Sequence, residues 1–181
     1  MLDLEANPSL NRLFLIARMR VTVGFVVALF AFWFARPNIN SLVIGACVAS
    51  IGELLRVWAA GHLRKGTEVT RSGPYRLFRH PLYIGSFIVG VGFAVAASDF
   101  VAGGLVILYL IITLLVAVFL EEATLKEDFG TEYQLYIRGK VEPTKRRFSF
   151  SQVKKNGEFK TVIGFVFAMV ILGFKIWVSS N

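Results

Sequence analysis

The sequence predicts an all-α integral membrane bundle of five transmembrane helices, and three observations predict it. Apolar residues make up 55% of the 181 positions and charged residues only 18%, a balance too apolar for a water-soluble surface. The charges are confined to a few segments and leave five long apolar runs between them. Lysine and arginine also alternate from loop to loop. There are three before the first run, one between the first and second, five in residues 61–81, none between the third and fourth, and nine in residues 121–160. By the positive-inside rule this puts the N-terminus and the 61–81 and 121–160 loops in the cytoplasm, with the C-terminus outside. The net charge of +8 then belongs to cytoplasmic loops and not to a nucleic-acid partner.

Residues 1–20 form a cytoplasmic lead-in, with Arg12, Arg18 and Arg20 ahead of the first apolar run, in the manner of an interfacial helix. Asp3 and Glu5, without a short apolar core and cleavage site, do not read as a signal peptide. The first span covers residues 21–35, short against the roughly 20 residues a bilayer asks for. Trp33 suits its interfacial end, and Pro37, Asn38 and Asn40 make the turn. The second span, residues 41–60, is interrupted by Glu53 and Arg56, which share a face at i, i+3. Either they pair with each other, or Arg56 faces a cytoplasm-open cavity and meets an anionic group. His62 at the end of this span reads as an interface residue.

The third span, residues 82–97, follows the segment from Gly73 to Gly85. Pro74 and Pro81 hold Gly73 and His80 out of the α region, so a helix starts near Pro81 or Leu82 and leaves free N–H groups at its beginning. Only Ser98 and Asp99 separate it from the fourth span, residues 100–120. That hairpin returns the chain to the cytoplasmic side at Glu121 and Glu122, so the His80 cluster and the acidic pair share one end of two neighbouring helices. A helix continuing past residue 120 turns one carboxylate into the bundle and the other about 100° away. Gly130 can cap this extension, and Tyr133 and Tyr136 form an aromatic face or an interfacial belt. The fifth span, residues 161–178, carries Lys175, placed to snorkel to the interface.

Two histidines and the single Cys47, without close ligand spacing, give no expectation of a metal or a disulfide. No nucleophilic serine or cysteine signature is present, and Gly90 and Gly92 read as close helix packing and not as a phosphate loop. Basic residues in 138–155 suit anionic lipid headgroups.

Gly73-Pro74-Tyr75, Arg79-His80-Pro81-Leu82-Tyr83-Ile84-Gly85, a transmembrane hairpin, then Glu121-Glu122, Leu125, Phe129-Gly130, Tyr133 and Tyr136 together resemble the isoprenylcysteine carboxyl methyltransferase family. They are more distantly similar to the phospholipid methyltransferases of the same superfamily. The resemblance covers roughly residues 42–147, with a cofactor-binding core over 62–147. It implies a membrane enzyme that binds S-adenosylmethionine at the cytoplasmic helix ends, releases S-adenosylhomocysteine and methylates a lipophilic substrate from the bilayer. Its cofactor residues fall here on Thr67, Glu68, Val69, Thr70, Tyr75, His80, Pro81, Leu82, Tyr83 and Glu121. The residue types suit that ligand: histidine and arginine for its carboxylate, glutamate for its ammonium or ribose hydroxyls, tyrosine and proline rings for its adenine.

The sequence departs from the family at Thr67, where eukaryotic members carry histidine, and at Ala117, where those acting on prenylcysteine carry an arginine that meets the substrate carboxylate. Arg56 or Arg79 can supply the missing charge. The expected reaction is O-methylation of a prenylcysteine-like carboxylate. One alternative is N-methylation of a phospholipid amine, with Glu122 or Tyr83 as base; another is a non-catalytic membrane scaffold or lipid-binding relative. The segment after Arg147 lies outside the resemblance.

Overall fold

A computed structural model describes residues 8–180, with side-chain surroundings from Met19 onward; the first seven residues of the expected lead-in lie outside them. The described residues are all-helical. Helix α1 covers Pro8–Phe34, α2 Ile39–Ala60, α3 Pro81–Ala97, α4 Phe100–Ile137, α5 Phe150–Lys155 and α6 Glu158–Ser180, with a 3-10 turn at Gly73–Arg76. Helices α2, α4 and α6 are long and apolar enough to cross a membrane, while Met19–Phe34 and Pro81–Ala97 are shorter apolar helices.

Two expected boundaries move and a third holds. The lead-in and first span are one helix from Pro8 onward, because nothing between Pro8 and Pro37 breaks it and arginine is a good helix former. α4 does not end at residue 120 but runs to Ile137, and Gly130 (φ 43, ψ −113) kinks it where a cap was expected. Glycine tolerates that positive φ and lets the helix resume in a new direction. α3 starts on Pro81 as expected, with His80 non-helical before it (φ −128, ψ 60).

The bundle is built on the α2–α3 contact. An added Cβ at Gly45 would lie 2.5 Å from Gly92 O, and one at Gly52 would lie 2.6 Å from Gly85 O. With Ala49 and Ala96, both fully buried, these small residues bring two backbones into contact, the dispersion-driven packing that apolar surroundings favour. At the far end, Asp99 Oδ1 accepts from Val101 N and Ala102 N (2.9 and 3.0 Å) and caps α4. Arg36 N donates to Ala97 O at 2.8 Å, tying the α1–α2 turn to the α3–α4 hairpin. Lys175 of α6 donates to the carbonyls of Phe32 and Trp33, so the end of α6 meets the end of α1 instead of reaching outward.

Between α2, α3 and α6 lies a buried ionic group. Arg56 Nη2 donates to both carboxylate oxygens of Glu158 at 2.8 and 3.0 Å, its Nε lies 3.7 Å from Glu53 Oε2, and Nη1 donates to Ser86. Glu53 and Glu158 are only 5% and 6% exposed. The expected Glu53–Arg56 pair is therefore present, but the stronger partner comes from α6.

Gly73 shows how closely the loops pack: its φ is +58, and an added Cβ would lie 2.6 Å from the His62 ring. Gly73→Ala is expected to lower stability by at least the ~1–2 kcal/mol of a left-handed L-residue, read as a lower thermal midpoint in detergent. An unchanged midpoint would show that this turn relaxes freely.

Candidate functional site

At the end of the bundle opposite Asp99, a cavity of about 620 Å³ opens between residues 63–66 and 68–70, Tyr75, the start of α3 and the face of α4 from Ala117 to Tyr136. That volume suits a small-molecule ligand. Its α4 wall is one helical stripe, Ala117, Leu120, Glu121, Thr124, Leu125 and Asp128, at the i, i+3, i+4, i+7 spacing of a single helix face.

Because Pro81 starts α3 and is buried, His80 is held at the helix mouth against α4. Its Nδ1 is 3.9 Å from Glu121 Oε2 and its Nε2 is 3.4 Å from Glu122 Oε1. Neighbouring residues on a helix point about 100° apart, and they reach one imidazole by approaching different nitrogens. Glu121 faces the cavity; Glu122 turns towards Lys126, at 3.6 Å. The His80 and Tyr83 rings lie 5.9 Å apart.

The opposite wall is a loop clamped from outside. Thr70 Oγ1 accepts from Arg64 N at 3.2 Å, Arg71 pairs with Glu132 at 2.5 Å, and Arg146 pairs with Glu68 at 2.6 Å. Asn156 donates to Ala60 O and Leu63 O at 2.8 and 3.0 Å. The chain beyond Arg147 thus has a structural part: it fastens the end of α2 and the loop that lines the cavity.

The Arg146 hydrogen bond holds the Glu68 carboxyl below its ordinary value of 4.5 against the opposing effect of burial. A depressed carboxyl contributes stability that is fully present above its unfolded-state pKa and is lost as pH falls through the folded-state value. The thermal-midpoint gap between wild type and Glu68→Gln is therefore expected to be constant from about pH 7 to 5 and to shrink below about pH 4.5. A gap that does not narrow on acidification would mean that the pair does not hold the loop.

The tyrosines complete the cavity. Tyr133 is 1% exposed and its hydroxyl has no hydrogen-bond partner among the described residues, so it is a cavity-lining phenol and not part of an interfacial belt. Tyr136 donates to Tyr75 O at 2.9 Å. Burial, then the charge of Glu122, pushes Tyr133 up to about 12; burial, then Glu121, raises Tyr75. Both phenols are neutral donors at pH 7.

Of the residues singled out from the sequence, Glu68, Val69, Thr70, Tyr75, His80, Leu82, Tyr83, Glu121 and Arg79 line this cavity. Thr67 and Pro81 do not: Thr67 Oγ1 donates to Arg64 O at 3.2 Å, and Pro81 is packed as the first residue of α3. Arg56 is outside it, held by Glu158 and Glu53, and Glu122 stands behind His80. Sequence reasoning missed Arg20, which lines the cavity from α1, and passed over Thr124 and Asp128, which the stripe from Ala117 would have disclosed. Among the described residues no group of three or more His, Cys, Asp or Glu is placed to hold a metal ion.

Fold and cavity define a helical membrane protein with a charged, ligand-sized pocket at one end of its bundle. The phospholipid methyltransferase family model matches residues 19–132, which carry α2, α3, most of α1 and α4, and most of the cavity. The chain belongs to the phospholipid methyltransferase family. It is 38% identical over 64 residues to the nickel-cobalt-cadmium resistance protein NccN of Alcaligenes xylosoxydans xylosoxydans, across 33% of this chain and 29% of that one. It is 36% identical over 85 residues to the cobalt-zinc-cadmium resistance protein CzcN of Cupriavidus metallidurans, across 40% of this chain and 38% of that one. The chain thus spans about a third of the length of each of these relatives. No solved structure matches it.

Proposed function

We propose that the protein is an integral membrane methyltransferase that takes its methyl group from S-adenosylmethionine and delivers it to a lipophilic acceptor from the bilayer, with the cavity on the cytoplasmic side. The observation that carries this reading is the mixed donor set of one cavity. Glu68, Glu121 and Asp128 face it together with Arg64, Arg79 and His80, and the buried Tyr133 hydroxyl has no partner of its own among the described residues. A ligand bearing ammonium, carboxylate, hydroxyls and an aromatic base fits such a set; a purely apolar one does not.

S-adenosylmethionine, when bound, supplies an electrophilic methyl group on a sulfonium. The chain's part is to bind, orient and exclude water. Glu121 suits the ammonium or ribose hydroxyls, Arg79 and His80 suit the carboxylate, and Tyr75 and Tyr83 suit the adenine face. Leu82, Leu120 and Leu125 keep the acceptor side dry, and alignment supplies rate without an acid or base.

An anionic acceptor, a prenylcysteine-like carboxylate, is favoured by Arg20 and Arg64 at the cavity. Arg20 lines the cavity, as Ala117 does, and takes the part first offered to Arg56 or Arg79. N-methylation of a phospholipid amine is the second reading, favoured by the family description. The two are separated by pH. A carboxylate is a nucleophile throughout the neutral range, whereas an ammonium must first lose a proton. Turnover is expected to stay flat from about pH 6 to 8; a tenfold rise per pH unit would transfer the assignment to the amine. The cofactor reading is tested by titration calorimetry with S-adenosylhomocysteine in mild detergent. Micromolar binding is expected. No heat and no thermal stabilisation at millimolar ligand would indicate a non-catalytic relative, since a bound ligand must stabilise the fold that binds it.

A further inference from the structure

A second cavity, of about 450 Å³, lies on the other side of the Gly73–Arg76 turn. It shares no lining residue with the first. Arg76, Lys145, Arg146 and Arg147 line it with Trp58 and His62, and no acidic residue does. Arg146 is engaged by Glu68; Arg76, Lys145 and Arg147 have no carboxylate partner among the described residues. His62 is 5% exposed, and its Nδ1 is taken up by Trp58 O at 3.0 Å.

Three unpaired cations converging on one cleft repel one another unless an anion joins them. The cleft's position says which anion. Trp58 lies in the last turn of the apolar helix α2, the level at which tryptophan marks a membrane interface. Beside the cations, Leu77 is 71% exposed, Phe78 43%, Phe148 37% and Phe150 70%. Cations at the end of an apolar span, bordered by exposed apolar side chains, match an amphiphile with a charged head and not a free ion.

We propose that this cleft is a binding site for the headgroup of an anionic phospholipid, with its phosphate held by Arg76, Lys145 and Arg147. The site is separate from the methyl-transfer cavity and does not depend on the chemistry assigned there. Arg146 links the two, reaching Glu68 on one side and the cleft on the other.

The test uses the full chain in mild detergent. With Trp33→Phe and Trp177→Phe, Trp58 is the only fluorophore of the three tryptophans in the sequence. Short-chain phosphatidylglycerol, phosphatidylcholine of the same chain length and inorganic phosphate are titrated separately. The expected result is a saturable Trp58 change with phosphatidylglycerol that weakens with added salt, and at least tenfold weaker binding of the other two. R76Q/K145Q/R147Q is expected to lose about 100-fold in affinity, given the contribution of each basic residue at a lipid surface. R76K/R147K, which keeps the charges, is expected to bind within a few-fold of wild type, and an unchanged thermal midpoint shows that each variant is folded. Equal binding of the two lipids, or undiminished binding by the folded triple variant, overturns the proposal. Inorganic phosphate binding as tightly as phosphatidylglycerol assigns the cleft to a free anion and overturns the lipid assignment.

Discussion

Glu121→Gln is expected to weaken S-adenosylhomocysteine binding by about 10- to 100-fold, the loss of one hydrogen bond to a charged group at roughly 1.5–3 kcal/mol. The carboxylate faces the cavity from the α4 stripe and stands 3.9 Å from His80 Nδ1. His80→Ala is expected to do the same, because it removes a side chain that lines the cavity and separates the two glutamates. Glu122→Gln is the control: its carboxylate does not line the cavity but stands behind His80, 3.4 Å from Nε2 and 3.6 Å from Lys126, and its loss is expected to change affinity less than about threefold, within the range of a weak ion pair. All three side chains are partly exposed at the cavity end of the bundle and not packed in the helix–helix core, so the variants are expected to assemble in detergent. If Glu122→Gln proved as damaging as Glu121→Gln, the assignment of Glu121 as the cavity-facing carboxylate would be wrong.

Arg56→Ala is expected to destabilise the protein by about 3–5 kcal/mol, since it leaves Glu53 and Glu158 buried without their cation. Binding of S-adenosylhomocysteine by the remaining folded protein is expected to be unchanged, because Arg56 does not line the cavity. Replacing the group together, Arg56→Met with Glu53→Gln and Glu158→Gln, is expected to restore much of the loss, as apolar or neutral replacements of buried ion pairs do. Measured by chemical unfolding in detergent, normal stability with impaired turnover would return Arg56 to the acceptor site.

Much of the site was legible because it is written in local backbone chemistry. Pro81 starts α3 wherever it stands in a chain, and His80 before it has to leave the helix. Ser98 and Asp99 force a hairpin, and the hairpin brings Glu121 and Glu122 back to His80, from which they are more than 40 positions away in sequence. Tyr133 was less legible: a tyrosine beside a membrane span reads as an interfacial belt, and only the kink at Gly130 swings it inward to 1% exposure.

The sequence by itself determined the helices, their apolar faces, the breaks at proline and glycine, and the end of the bundle at which the polar clusters meet. Hydropathy and backbone restrictions act over a few residues, so they can be read in one dimension. The tertiary structure alone decided which glutamate of the pair faces the cavity, that Arg20 joins it from α1, and that Arg56 is held by Glu158, which lies 102 positions later. It also gave the segment after Arg147 its part as a clamp. These depend on how each helix is rotated about its own axis, at about 100° per residue. That rotation is fixed by backbone contacts such as Gly52 against Gly85, formed only when the helices pack.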